Sequence, residues 1–160
     1  MEDLRPMRRM DRETDEQDAR ELLSRGQYGV LSTVGADGAP YGVPLNYVHR
    51  ESEIYFHSAP EGRKVENLSV GMTSGAQASF CVVGATEVQP EMLTTNYESV
   101  IASGEVRELE GEEKRAALRW LVEKYAPDFR KQGEDHIVDA EGRTRVFGLS
   151  VRKITGKRRS

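Results

Sequence analysis

A single cysteine, a single tryptophan and three histidines leave the chain with few of the side chains that bind metals or attack substrates. Cys81 cannot form an intrachain disulfide, and its place inside the apolar run SFCVVGA reads as a small buried hydrophobe rather than a nucleophile. His49, His57 and His136 are scattered and keep no metal-ligand spacing with the cysteine, which gives no support to a zinc site. No apolar run approaches the roughly 20 residues of a membrane span, and none stands where a signal peptide would, so the expected setting is the cytoplasm, away from membranes. The glycine-rich fingerprints of dinucleotide and nucleoside triphosphate sites are also missing. So are internal repeats and low-complexity linkers, and residues 1–160 read as one domain.

Hydrophobic residues make up only 37% of the chain and charged residues 31%. Such a balance implies a modest core in a charged shell, or a core completed by a second subunit. The net charge of −4 argues against general nucleic-acid binding. Positive charge gathers in RPMRRMDR at the start and RKITGKRRS at the finish, which read as solvated tails.

Thr14 and Gln17 have capping-box spacing ahead of a helix whose stripe is Ala19, Leu22 and Leu23 and whose end is marked by Arg25 and Gly26. YGVLSTV, APYGVPLNYVHR and IYFHS follow as strands joined by the short turns GADG and RESE. In the second of these, Tyr41, Val43, Leu45 and Tyr47 share a face. QASFCVVGATEV and YESVIASGEVREL are two more strands, GEEKRAALRWLVEKY is a helix, and RTRVFGLSVRKITG is a last strand. The polar segment 128–141 stays unassigned. Six strands without a βαβ rhythm predict a mainly β protein, a small antiparallel barrel with flanking helices.

The stretch IYFHSAPEGRKVENL joins a strand to a helix and places Arg63 and Lys64 in the helix's first turn. Ser58 and Glu61 have the S-x-x-E spacing of a capping box. Cations at a helix start are unfavourable unless an anion arrives, because the backbone there already carries partial positive charge. Two readings stay open: an exposed face pairing with Glu61, Glu66 or water, and a phosphate site. Pro44 removes a ladder donor from its strand, which suits an ordinary edge or a rim whose backbone meets a flat heteroaromatic ring. By alternation Ile54 and Phe56 face the core while His57 faces away, as a structural histidine or as a proton donor beside the anion site.

The ordered blocks MRRMDRE, GVLSTVGADGAPYGVPLNYV, IYFHSAPEGRKVENL, SFCVVG, YESVIASGEVREL, EEKRAALRWLVEKY and ITGKRR resemble the pyridoxamine 5′-phosphate oxidase-like split-barrel flavoproteins. The likeness is to their nitroimidazole-resistance branch and runs from about Met7 to Arg159. It implies a six-stranded split β-barrel and a homodimer with FMN at the interface. Val43, Pro44, Leu45 and Asn46 would then lie along the isoalloxazine ring. His57, Ser58, Arg63 and Lys64 would receive the ribityl phosphate, with Arg63 standing where many relatives carry histidine. Tyr97, Glu98, Ser99 and Val100 would approach the flavin from the neighbouring subunit, and His57 would be the catalytic residue. The implied activity is a nitroreductase-like oxidoreductase acting on a small molecule, with electrons from NAD(P)H or a protein donor. The alternatives are a flavin-binding or sensor module without catalysis, and a barrel holding haem or a deazaflavin. Pyridoxamine phosphate oxidation itself is not expected, because the chain is short and its C-terminal segment lacks those enzymes' basic substrate-binding pattern.

Overall fold

A computed structural model describes residues 5–160. Its strands are β1 (Glu13–Thr14), β2 (Gly29–Val34), β3 (Pro40–Leu45), β4 (Val48–Arg50), β5 (Glu53–Ser58), β6 (Ala78–Gln89), β7 (Thr94–Leu109) and β8 (Arg145–Arg159). Every pairing is antiparallel, in the order β3-β2-β6-β7-β8-β5-β4, with β1 attached to β8. β3 and β4 are thus the two ends of the sheet, yet only Asn46 and Tyr47 separate them in the chain. A sheet whose ends are consecutive in sequence must curl until they nearly meet, leaving one unpaired seam. That is a split barrel. The expected count of six strands becomes eight because APYGVPLNYVHR breaks at Asn46–Tyr47 into β3 and β4, and because β1 adds a two-residue rung.

Ile54 and Phe56 point into the barrel with Leu31, Phe80, Val82, Phe147 and Leu149, all fully buried. Tyr55 and Val146, on the opposite face of the same strands, form a second core with Leu118, Leu121 and Ile137. β5 and the first part of β8, from Val146 to Leu149, are therefore covered on both sides, and there the sequence is mostly apolar.

Four α-helices flank the sheet: α1 (Glu16–Arg25), α2 (Arg63–Ser74), α3 (Gly111–Tyr125) and α4 (Arg130–Ala140). The Thr14–Gln17 capping box does not form, because Thr14 is held in β1 opposite Gly156. Asp15 caps α1 instead, its carboxylate accepting from the Asp18 N–H at 2.8 Å. α4 arises from the unassigned polar segment; it buries only Ile137, too little to make a periodic signal. Gly133 lets it lie against α3, since a Cβ there would sit 2.5 Å from Val122 Cγ1.

Two further expectations change. The basic finish is no tail: Lys153 and Lys157 lie in β8 opposite Ser103 and Ser99, and Arg158 bonds Asp18. Cys81 is only half-buried and faces outward, between Val30 and Ile101, rather than into the core.

Candidate functional site

β5 ends at Ser58, whose side chain is 5% exposed and whose backbone pairs with Arg145. Four residues later the chain turns at Gly62, with φ of +134°, and α2 begins. A left-handed φ of this size favours glycine. The capping pattern of Ser58 and Glu61 is not used: Gly62 is the cap, and no side chain bonds the helix start. The first N–H groups of α2 are consequently left without side-chain acceptors.

Lys64 stands in this uncapped turn, half-buried. Burial alone pulls its ammonium below the ordinary lysine value, and among the described residues no carboxylate pairs with it. Arg63 is exposed, and its guanidinium lies 5.0 Å from the centre of the Tyr41 ring, which ties the start of α2 to β3. Glu61 and Glu66 are exposed and pair with neither cation, which leaves water as the partner in the first of the two open readings.

Among the described residues β3 pairs only with β2, so one of its edges is free. Tyr41, Val43 and Leu45 turn inward and are half-buried, while Gly42, Pro44 and Asn46 are exposed. The alternation expected from the sequence holds, and Pro44 sits on an edge strand, where a missing N–H costs least. Tyr47 is fully buried at the seam. Its N–H donates to the Tyr125 hydroxyl at 3.0 Å, and its carbonyl accepts from Lys124 Nζ at 2.9 Å.

His57 and Asn46 line one cleft of about 270 Å³ between the end of β5 and the α3–α4 pair. The His57 imidazole is held below its ordinary value, first by burial, then by the positive charges of Lys64 and His136. No cluster of three or more metal-ligating side chains occurs among the described residues.

Ser99 and Val100 are not brought to this place within one chain. Val100 is fully buried in the barrel between Val82 and Gly156. Ser99 lies on the outer face of the sheet, between Val83 and Lys157. That outer face is uncharged at its centre, with the cross-strand row Pro44, Val30, Cys81, Ile101 and Thr155. Val34, Val83 and Ile101 are 51%, 56% and 49% exposed there.

Sequence reasoning missed Tyr125, Lys124 and His136. Tyr125 and Lys124 stand at the end of a helical segment as any amphipathic helix could carry them, and His136 lies in the unassigned polar segment 128–141, so none carries a signal of its own.

The family model described as pyridoxamine 5′-phosphate oxidase matches residues 15–158. No curated protein matches the chain. Among solved structures, a candidate 5-nitroimidazole antibiotic resistance protein from Bacteroides thetaiotaomicron superposes with a TM-score of 0.71 at 23% identity, over 89% of this chain and 83% of that one. The flavocytochrome Anf3 from Azotobacter vinelandii gives 0.77 at 19% identity, over 97% and 72%. The FAD and haem binding protein from Mycobacterium smegmatis gives 0.77 at 18%, over 91% and 71%. At these identities the likeness establishes the shared fold.

Proposed function

The chain belongs to the pyridoxamine 5′-phosphate oxidase family, and from that premise we propose that it is an FMN-dependent oxidoreductase that reduces a small oxidised substrate as a homodimer. One observation carries the reading: Lys64, a half-buried ammonium at an uncapped helix start, has no carboxylate partner among the described residues. Burying a charge without a partner costs free energy. A phosphate arriving at the same turn removes that cost through charge-assisted hydrogen bonds to Lys64 and to the open N–H groups.

The flavin, when bound, supplies the redox chemistry. The chain binds and orients it. Lys64 and the first N–H groups of α2 hold the phosphate, and Arg63 adds a second positive charge near β3. The free edge of β3 around Val43, Pro44, Leu45 and Asn46 offers unpaired backbone groups to the ring's polar side. His57, whose imidazole is held below its ordinary value in the unliganded chain, orients a substrate by hydrogen bonding or donates a proton to it. A phosphate on Lys64 cancels one of the charges that depress the imidazole and returns proton-donor character to it. With no dinucleotide motif in the chain, NAD(P)H or a protein donor docks only transiently.

The second copy covers the outer sheet face around Ile101 and Val83, where exposed apolar side chains stand among serines and glycine without a charge at the centre. In that arrangement Ser99 approaches the cofactor of the partner rather than its own.

The visible spectrum tests the reading. The purified protein, reconstituted with FMN, is yellow, is bleached by NADH, NADPH or a reduced protein donor, and recovers on adding an oxidised substrate. A haem spectrum, or no retained chromophore, overturns it.

A further inference from the structure

The α3–α4 pair is absent from the reading of the chain as a flavin-binding barrel, yet it closes a cleft against the strand ends that carry Asn46 and His57. The cleft holds about 270 Å³. Ligand pockets run from roughly 300 to 1,000 Å³, so its occupant is small. Leu118, Leu121 and Ile137 make its walls apolar, and no carboxylate lines it.

Resting on the flavin reading, we propose that this cleft is the pocket for the oxidised substrate, and that His136 of α4 binds the substrate together with His57. The class of ligand is a small, largely apolar molecule with one hydrogen-bond acceptor presented to the two imidazoles.

Three features support this. The lining is the usual mixture for a binding pocket, apolar walls with a few convergent polar groups. Tyr125 also lines the cleft, but its hydroxyl proton is committed to the carbonyl of Gln27 at 2.6 Å or of Tyr47 at 2.9 Å. The donors left for a ligand are therefore Asn46, His57, His136 and the Thr144 hydroxyl. The two imidazoles line one and the same cleft, and neither pairs with a carboxylate among the described residues.

The test titrates benzamide into the chain, with and without FMN, while the imidazole C–H signals of the three histidines are followed by NMR. The signals of His57 and His136 are expected to move together and that of His49 to stay. Toluene, the same body without an acceptor, should bind at least about fivefold more weakly, the worth of one net hydrogen bond. Ala140→Phe, which fills the cleft, should abolish the shifts. His136→Leu, at an exposed position whose loss the fold tolerates, should weaken benzamide by a similar factor. Absent shifts, shifts shared with His49, or unchanged binding in His136→Leu overturn the proposal. An FMN-loaded chain without the shifts overturns the pocket alone. A chain that shows the shifts but never retains FMN overturns the flavin reading and leaves a binding cleft.

Discussion

The Tyr125 hydroxyl stands 3.0 Å from the amide nitrogen of Tyr47 and 2.9 Å from its carbonyl oxygen, bridging both backbone groups of one residue at the barrel's seam. A neighbouring strand would normally satisfy those groups. Here β3 has ended, β4 has not begun, and the last turn of α3 serves in place of the missing ladder. The seam is thus stitched by side chains, and the chain just before it is the strand proposed to meet the flavin ring.

Tyr125→Phe removes the stitch while keeping the ring. It leaves a buried N–H without its acceptor, an error that costs about 1–3 kcal/mol. Urea denaturation should show a loss of that size with an unchanged slope. An undisturbed midpoint would mean that the seam holds without Tyr125.

Lys124 completes the stitch, with its ammonium 3.8 Å from the centre of the Tyr47 ring. Burial pulls its pKa down to about 8. Its unfolded value is that of an ordinary lysine, near 10.4. Between those values the unfolded chain binds more protons than the folded one, so this residue makes stability rise with pH there, and below about 8 its penalty is fully present. Lys124→Met should flatten the rise between pH 8 and pH 10. An identical stability profile in the variant would refute the assignment.

Much of this arrangement was legible in the sequence, and the reason is periodicity. The alternation of Tyr41, Val43 and Leu45, and the opposite faces of Ile54 and Tyr55, come out as expected because each strand buries a definite side. The break after Leu45 was not legible, since Tyr47 continues the period and its bonds to Tyr125 and Lys124 are made by residues far along the chain. The Ser58–Glu61 capping spacing misled for a related reason. Ser58 is claimed by the ladder with Arg145, and a local pattern yields to a long-range pairing. That error matters, because the absent cap is what leaves α2 open to an anion. α4 was invisible in its polar sequence, and with it the cleft.

His57 reports on the proposed phosphate site without any turnover. In the flavin-free chain its imidazole should titrate below the ordinary 6.5, held down by burial and by Lys64. Binding FMN neutralises Lys64 and should move the titration upward, as read by NMR. If the value stays put while FMN binds, the phosphate lies elsewhere.

Ile101, 49% exposed in the apolar centre of the outer face, reports on the proposed second copy. Ile101→Glu places a charge at the centre of the proposed contact and should convert a dimer to monomers in sedimentation, with weaker FMN retention as a consequence. A variant that remains dimeric assigns the contact to another face.

The most direct measurement is the affinity for FMN of the wild-type chain and of Lys64→Glu, by fluorescence titration at fixed ionic strength. A charge-assisted hydrogen bond contributes about 1.5–3 kcal/mol, so affinity should fall at least tenfold, and Arg63→Glu should cost less because Arg63 is exposed and held over Tyr41. Equal affinity of wild type and Lys64→Glu would contradict the account.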